Sequence, residues 1–234
     1  MPGINRDAVE VLQRNGVEVV EVPAQRCCGA LALHSGRSEE AVALATANSI
    51  AFGGADVDFV VSTAAGCGAM LHDYARLLGA TSEERRGREL AAKSRDVCEL
   101  LVEIGFDKPL RPLEVKGRVA YHDACHLLHA RGIAAAPRSV CEAAIGRATV
   151  DLGENAICCG SAGSYNLDHP VLSGELGTRK AELARDRKAA VVAVGNVGCL
   201  LQISQAVARA GLPTEVRHPI QLLAEAYRRA DAER

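Results

Sequence analysis

A Cys-Cys-Gly triplet occurs twice in this chain, at Cys27–Gly29 and at Cys158–Gly160. Each triplet is followed some 40 residues later by a single cysteine beside glycine, Cys67 in the first case and Cys199 in the second. The triplets lie 131 positions apart and the single cysteines 132, so the pattern repeats almost in register. Repetition at a fixed period indicates a duplicated structural unit, so we expect two related halves with each single cysteine in a glycine turn.

The thiols point to metal chemistry. A cysteine kept only for packing could be replaced by Ala or Val, whereas paired thiols that recur in both halves indicate ligands. The nine cysteines are an odd number for a disulfide framework, and a chain of 234 residues with 48% hydrophobic residues does not need one. The thiols are therefore expected to be free, metal-bound or catalytic; a vicinal disulfide is a lesser alternative.

Composition excludes two classes of partner. The formal net charge is −2, with 27 Lys and Arg against 29 Asp and Glu, and no basic run is long enough to follow a phosphate backbone. No apolar stretch approaches the roughly 20 residues that span a bilayer, and the first residues lack the apolar core of a signal peptide. We expect no nucleic acid partner, no transmembrane segment and a cytoplasmic location.

Apolar periodicity and turn residues predict alternating helices and strands. In the first half the predicted order is a helix from about residue 5 that ends at Gly16, a strand at 17–22, a helix at 38–52 and a strand at 57–62. In the second half it is a strand at 117–121, a helix at 137–145, a strand at 149–152, a helix at 173–187 and a strand at 190–194. Similar helices close the two halves, at 97–101 and 219–223. The chain is predicted to be an α/β protein of two parallel-sheet units, residues 1–110 and 111–234.

The cysteines follow the predicted strands. Sites in parallel sheets collect at the loops beyond the carboxyl ends of the strands, so one site per half is expected. The second half offers four thiolates from three loops, the ligand number of a [4Fe-4S] cluster: Cys125, Cys158, Cys159 and Cys199. The first half offers three: Cys27, Cys28 and Cys67.

Five segments carry a resemblance to a known family: 27–36, 64–70, 121–127, 158–166 and 196–203. In order and spacing they resemble the cysteine-rich tandem CCG region of glycolate oxidase iron-sulfur subunits. Similar domains occur in lactate-utilisation iron-sulfur proteins and in the heterodisulfide reductase B subunit. The resemblance implies two pseudo-symmetric, Rossmann-like CCG repeats. Counted back by one period, the counterpart of Cys125 would precede residue 1, so the first repeat lacks its opening strand and that cysteine.

The same resemblance implies electron transfer. A partner subunit holding FAD would oxidise glycolate or another 2-hydroxy acid, and this chain would relay electrons toward a quinone-type acceptor. Contact with the inner face of the membrane would then run through partners. The family's subunit usually begins with a ferredoxin-like Cys-x-x-Cys-x-x-Cys region, and this chain has none. The resemblance therefore implies a fragment, a shortened gene product or a subunit whose ferredoxin-like module is encoded separately. It also shows no catalytic nucleophile set, so substrate chemistry is expected on the partner.

Two alternatives to the cluster stay open. A zinc ion would suit the same four thiolates and would make the chain a structural or assembly domain. A thiol-disulfide protein of the heterodisulfide reductase type would use the cysteines directly. Domains of that type end in Cys-x-x-Cys, whereas Met70 and Gln202 stand at the corresponding positions here, which disfavours this alternative.

Other residues have simpler interpretations. Cys98 and Cys141 lie on predicted helices among apolar neighbours and are expected in the core. Asp123 and Asn166 are expected to orient loops. Four histidines could be ligands, proton carriers or hydrogen-bonding caps, and the one adjoining Cys125 is favoured as a ligand: His34, His122, His126 and His129, with His126 favoured.

Overall fold

The computed structural model describes residues 2–154 and 157–232. The first half contains α1 (Pro2–Arg14), α2 (Ala30–His34), α3 (Ser38–Gly53), β1 (Val60–Ser62), α4 (Ala65–Leu77), α5 (Glu84–Lys93), β2 (Ser94–Asp96) and α6 (Val97–Ile104). The second half contains β3 (Arg118–His122), a π-helix (His126–Ala130), α7 (Ala135–Ile145), β4 (Val150–Asp151), α8 (Tyr165–Asp168), α9 (Pro170–Asp186), β5 (Ala189–Val194), α10 (Val197–Arg209), β6 (Glu215–Arg217) and α11 (Pro219–Ala232). The predicted α/β class is confirmed.

All strand pairs in the described residues are parallel. The second half forms a four-stranded sheet in the order β4-β3-β5-β6, and β1 and β2 form a separate two-stranded sheet. Ala120 of β3 lies opposite Val150 on one side and Val192 on the other. The strands β3 and β5 are almost continuously buried, as is typical of parallel strands that are covered on both faces.

The predicted strand at 17–22 is wrong. This segment forms no strand, although Val17 and Val19 still pack against the main core. In the second half the matching strand β4 pairs with β3, whereas the residues described before 17 form α1 and offer no strand. An extended segment becomes a strand only when its backbone groups find a partner strand.

The expected glycine turns at the single cysteines are also different in the structure. Cys67 and Cys199 lie in the first turns of α4 and α10, directly after β1 and β5. Gly198 serves close packing, since a Cβ there would lie 3.2 Å from Ser161 Oγ, whereas a Cβ on Gly66 would meet nothing within 4 Å. Each cysteine therefore stands where backbone N–H groups of a helix start lack internal partners.

One hydrophobic core joins the two halves. Helix α1 packs on α11, α11 on α7, and α7 on α6, so the core continues across residue 110. A smaller core in the first half surrounds Tyr74, Leu78 and Leu90. The division into domains 1–110 and 111–234 stays a prediction from the sequence repeat.

The helices that close the two halves begin in the same way. Asp96 accepts a hydrogen bond from Cys98 N and donates its own N–H to Glu99, which forms a capping box at α6. At α11, His218 Nδ1 accepts from Ile220 N at 3.2 Å, and His218 N donates to Gln221 Oε1 at 3.0 Å. The two caps lie 122 positions apart, 10 fewer than the 132 that separate Cys67 from Cys199, so the second half is shorter between its single cysteine and its closing helix.

No helix in the described part of the chain has the length and apolarity required to cross a membrane.

Candidate metal centre

Helix α9 fastens both ends of the loop that carries the second cysteine pair. Ser173 Oγ donates to Gly160 O at 2.8 Å, and Lys180 Nζ donates to Glu154 O at 2.7 Å. Gln202 of α10 in turn donates to Ser173 O at 2.8 Å. The loop is thus held at its start and its end by one rigid helix.

The structure brings the four cysteines predicted in the second half together. Cys125 follows β3 and directly precedes the π-helix, Cys158 and Cys159 lie in the loop after β4, and Cys199 begins α10 after β5. The thiols interact in sequence, Cys125 with Cys158, Cys158 with Cys159, and Cys159 with Cys199. All nine cysteines of the chain are free. The π-helix fits this location, since such segments often occur at functional sites.

Hydrogen bonds favour the thiolate form at two of these four positions. Hydrogen bonds from Cys125 and Cys159, and one from Gly160 N at 3.3 Å, lower the pKa of Cys158. Cys159 likewise lowers the pKa of Cys199 well below its usual range, helped by His122 and by Asn196 Nδ2 at 3.2 Å. The pKa values of Cys125 and Cys159 are raised because their protons are shared with those neighbours. A metal would displace these two protons, since it binds thiolates.

His122, one of the four histidines considered as ligands, lies among the second-half cysteines. It ends β3 and is 1% exposed; neither ring nitrogen forms a hydrogen bond of normal geometry among the described residues, but the ring interacts with Cys199 and lowers the pKa of that thiol. Its ligand atom and the sulfurs of Cys159 and Cys199 all lie within 4.8 Å of one another. The favoured His126 lies instead near Cys125, with Nδ1 3.6 Å from the sulfur. The feature of the sequence that indicates a site role for His122 is its position at the end of a buried strand, where sites of parallel sheets collect.

The first half gathers its three cysteines closer to the surface. Cys27 and Cys67 are exposed and Cys28 is half-buried. A hydrogen bond from Cys28 lowers the pKa of Cys67 to about 7, and the pKa of Cys28 is raised by the same interaction and by burial. Asn48 holds the loop by donating to Cys27 O at 3.0 Å, and Tyr74 holds it by donating to Cys28 O at 2.8 Å.

Other residues singled out in the sequence lie in the core or in the segments around the site. Cys98 and Cys141 are fully buried in the main core, as their helical positions predicted. Asp123 pairs with Arg138 at 2.6 Å and so fixes the segment before Cys125. The ring of His34 lies 3.6 Å from the place where a Cβ of Gly163 would stand, which brings α2 against the loop after Cys159.

The second-half residues fit a sulfur-ligated metal group. Four thiols converge from three strand ends, none is in a disulfide, and the buried imidazole of His122 lies within 4.8 Å of two of them. Buried polar groups are normally hydrogen-bonded or metal-bound. The first-half residues fit an incomplete version of the same site with three thiols.

A parallel α/β fold whose strand ends carry converging thiols defines a cysteine-rich, metal-binding class of protein. Comparison with known proteins makes this class specific. The chain matches the CCG cysteine-rich domain over residues 1–72 and 119–204. Because these ranges are more than half of the chain, the chain belongs to the CCG cysteine-rich domain family.

Curated relatives include glycolate oxidase iron-sulfur subunits and lactate utilization proteins. The probable glycolate oxidase iron-sulfur subunit of Bacillus subtilis (strain 168) is 35% identical over 225 residues, which is 95% of this chain and 51% of the relative. The glycolate oxidase iron-sulfur subunit of Escherichia coli (strain K12) is 31% identical over 96% of this chain and 54% of its own length. Lactate utilization protein A of Oceanobacillus iheyensis is 31% identical over 94% of this chain and 89% of the relative. The chain thus spans about half the length of the glycolate oxidase relatives.

Proposed function

We propose that this chain is an iron-sulfur electron-transfer subunit of a glycolate or other 2-hydroxy acid oxidase or dehydrogenase. The observation that carries the proposal is the convergence of four thiols on three adjacent strand ends, with the names of the relatives as support. The proposed ligands of a [4Fe-4S] cluster are Cys125, Cys158, Cys159 and Cys199. Cys27, Cys28 and Cys67 would form an incomplete second site.

The proposed partner is an FAD-containing subunit that oxidises the 2-hydroxy acid. A bound cluster would supply one-electron redox chemistry between that flavin and a quinone-type acceptor. A separate ferredoxin-like module could complete the path. The complex would be cytoplasmic, with any contact to the inner face of the membrane made through partners.

The chain's own residues would hold and tune the centre. Gly160 N–H and Asn196 Nδ2 donate to the sulfurs of Cys158 and Cys199, and such hydrogen bonds stabilise thiolates and raise the potential of a thiolate-bound centre. The burial of Cys159 and Cys199 excludes water from one side of the site. The half-exposed Cys125 and Cys158 lie on the side from which electrons could enter or leave.

The proposal includes two tandem, pseudo-symmetric, Rossmann-like repeats, the first without its opening strand. Support comes from the matching helix caps at Asp96 and His218 and from the similar placement of Cys67 and Cys199 after β1 and β5.

One experiment tests the relay itself. The chain is expressed with and without a flavoprotein of the 2-hydroxy acid oxidase type, purified without oxygen, and mixed with glycolate or lactate. We expect the visible cluster band to bleach only when flavoprotein and acid are both present. Cys158→Ser should abolish or reshape the band, whereas Cys141→Ala, which changes a core cysteine, should keep it. An unchanged band in Cys158→Ser, or no bleaching in the complete mixture, would contradict the proposal.

A structural zinc site is the second candidate, and one observation favours it. The ligand atoms of His122, Cys159 and Cys199 all lie within 4.8 Å of one another, which suits a single tetrahedral metal atom. Cys158 could supply a fourth ligand. Such a protein would be colourless and would contain no acid-labile sulfide.

A further inference from the structure

Lys180 is a fully buried lysine beside the second-half cysteines. It is 0% exposed on α9, and its ammonium donates to Glu154 O at 2.7 Å. Glu154, Cys159 and Cys158 all attract its charge, whereas Arg179 repels it and burial lowers its pKa. Lysine is almost never fully buried unless it is paired with an anion.

The surrounding anions are unequal partners for this ammonium. The side chain of Glu154 already pairs with Arg179 at 2.6 Å and is 32% exposed, so solvent screens its charge. Cys159 is buried and Cys158 half-buried, and a thiolate-held centre at that place is negatively charged. The centre is therefore the anion that best compensates a charge buried at Lys180.

The first half carries a neutral residue at the matching position. Asn48 lies 132 positions before Lys180, the same separation as between Cys67 and Cys199. It is 1% exposed on α3, accepts from Arg26 N at 2.8 Å and donates to Cys27 O at 3.0 Å. Each half thus holds its cysteine loop with a buried side chain from the following long helix, but only the second half uses a charge.

We propose that Lys180 is a buried counter-charge that raises the reduction potential of the second-half centre and makes it the better electron acceptor of the two sites. Reduction by one electron adds one negative charge to the centre, and a nearby ammonium in a low-dielectric environment stabilises that added charge. Lys180 is a positioning residue, because it binds the loop backbone and acts on the centre through space. The inference rests on the proposed electron-transfer function.

The test is a potentiometric titration of the anaerobically purified full chain, followed by its electron paramagnetic resonance or visible signal. Lys180→Gln removes the charge and keeps a donor for Glu154 O; Lys180→Arg keeps the charge; Lys188→Met changes an exposed lysine as control. We expect Lys180→Gln to make reduction about tenfold less favourable, a fall of about 59 mV for a one-electron couple. Lys180→Arg and Lys188→Met should stay near wild type.

Each further outcome has a defined meaning. A centre that assembles in Lys180→Arg but not in Lys180→Gln would also support the requirement for a charge. A loaded Lys180→Gln protein with the wild-type potential would overturn the counter-charge and leave the electron-transfer proposal intact. Wild-type protein without iron or sulfide would contradict both.

Discussion

At the scale of single residues, the backbone at Gly160 leaves no room for a side chain. Its φ is +96°, and a Cβ there would lie 2.6 Å from Ser173 O. Ser173 also holds the end of the cysteine loop, because its Oγ donates a hydrogen bond to Gly160 O. Glycine is therefore required both by the backbone conformation and by the close approach of α9.

Gly160→Ala should displace this loop. We expect a loss of about 2 kcal/mol in the free energy of unfolding, together with reduced metal content, because Cys158 and Cys159 move with the loop. Gly174→Ala is the matched control, since a Cβ at Gly174 meets nothing within 4 Å. Urea unfolding and metal analysis measure both effects. A stable, fully loaded Gly160→Ala protein would show that the loop geometry is not needed.

The site shows which residues a sequence can reveal. The thiols were found because Cys-Cys-Gly repeats and cysteine is chemically distinctive. Among the histidines the sequence does not single out His122, and it does not mark Lys180 at all, because the significance of both residues lies in burial. His122 is buried close to Cys159 and Cys199, and Lys180 is buried against the cysteine loop, and neither fact follows from a local motif.

At the scale of elements, helix caps and strand pairing explain what was and was not predicted. The closing helices were expected from their similar sequences, and their caps confirm a shared local structure. The segment 17–22 has strong β propensity and no strand, because propensity cannot supply the missing neighbour. Pairing with a neighbouring strand, and not local propensity, therefore decides whether residues 17–22 form a strand.

The cap at His218 gives a pH-dependent contribution to stability. Burial lowers the pKa of His218 from 6.5 to about 4. Because the unfolded state binds the proton more tightly, this contribution is complete above pH 6.5 and is lost as the pH falls toward 4. Asp96 acts in the opposite direction, since burial raises its pKa to about 7 and its contribution to stability is lost as the pH rises.

His218→Asn keeps a capping residue and removes this titration. We expect the stability difference between pH 7 and pH 5 to change by about 2 kcal/mol relative to wild type, with the variant losing less on acidification. His72→Asn alters an exposed histidine and serves as the control. Urea unfolding at the two pH values provides the comparison. Equal pH dependence in wild type and His218→Asn would refute this role for His218.

At the scale of the whole molecule, the halves are joined by core packing and by one buried arginine. Arg131 follows the π-helix of the second half, and its side chain is 6% exposed. It reaches the first half by donating to Glu99 Oε2 at 3.2 Å, Gly68 O at 3.3 Å and Ser94 O at 3.4 Å. The segment after Cys125 is therefore linked to the helix that carries Cys67.

Arg131→Met should weaken this junction. We expect a loss on the order of 2 kcal/mol in the free energy of unfolding, because Glu99 and two carbonyl groups lose a donor. Since one core spans both halves, unfolding should remain a single transition. Arg185→Met changes an exposed arginine and should have little effect. Calorimetry distinguishes the outcomes, and two separate transitions in the wild-type protein would argue against a shared core.

The most direct test of the central claim is the iron, zinc and acid-labile sulfide content of the chain purified without oxygen, with its visible spectrum before and after dithionite. Four thiolates that hold a [4Fe-4S] cluster predict about four irons and four sulfides per chain and a brown band that dithionite bleaches. One zinc, no sulfide and no colour would contradict the electron-transfer account and would make the same thiols a structural zinc site.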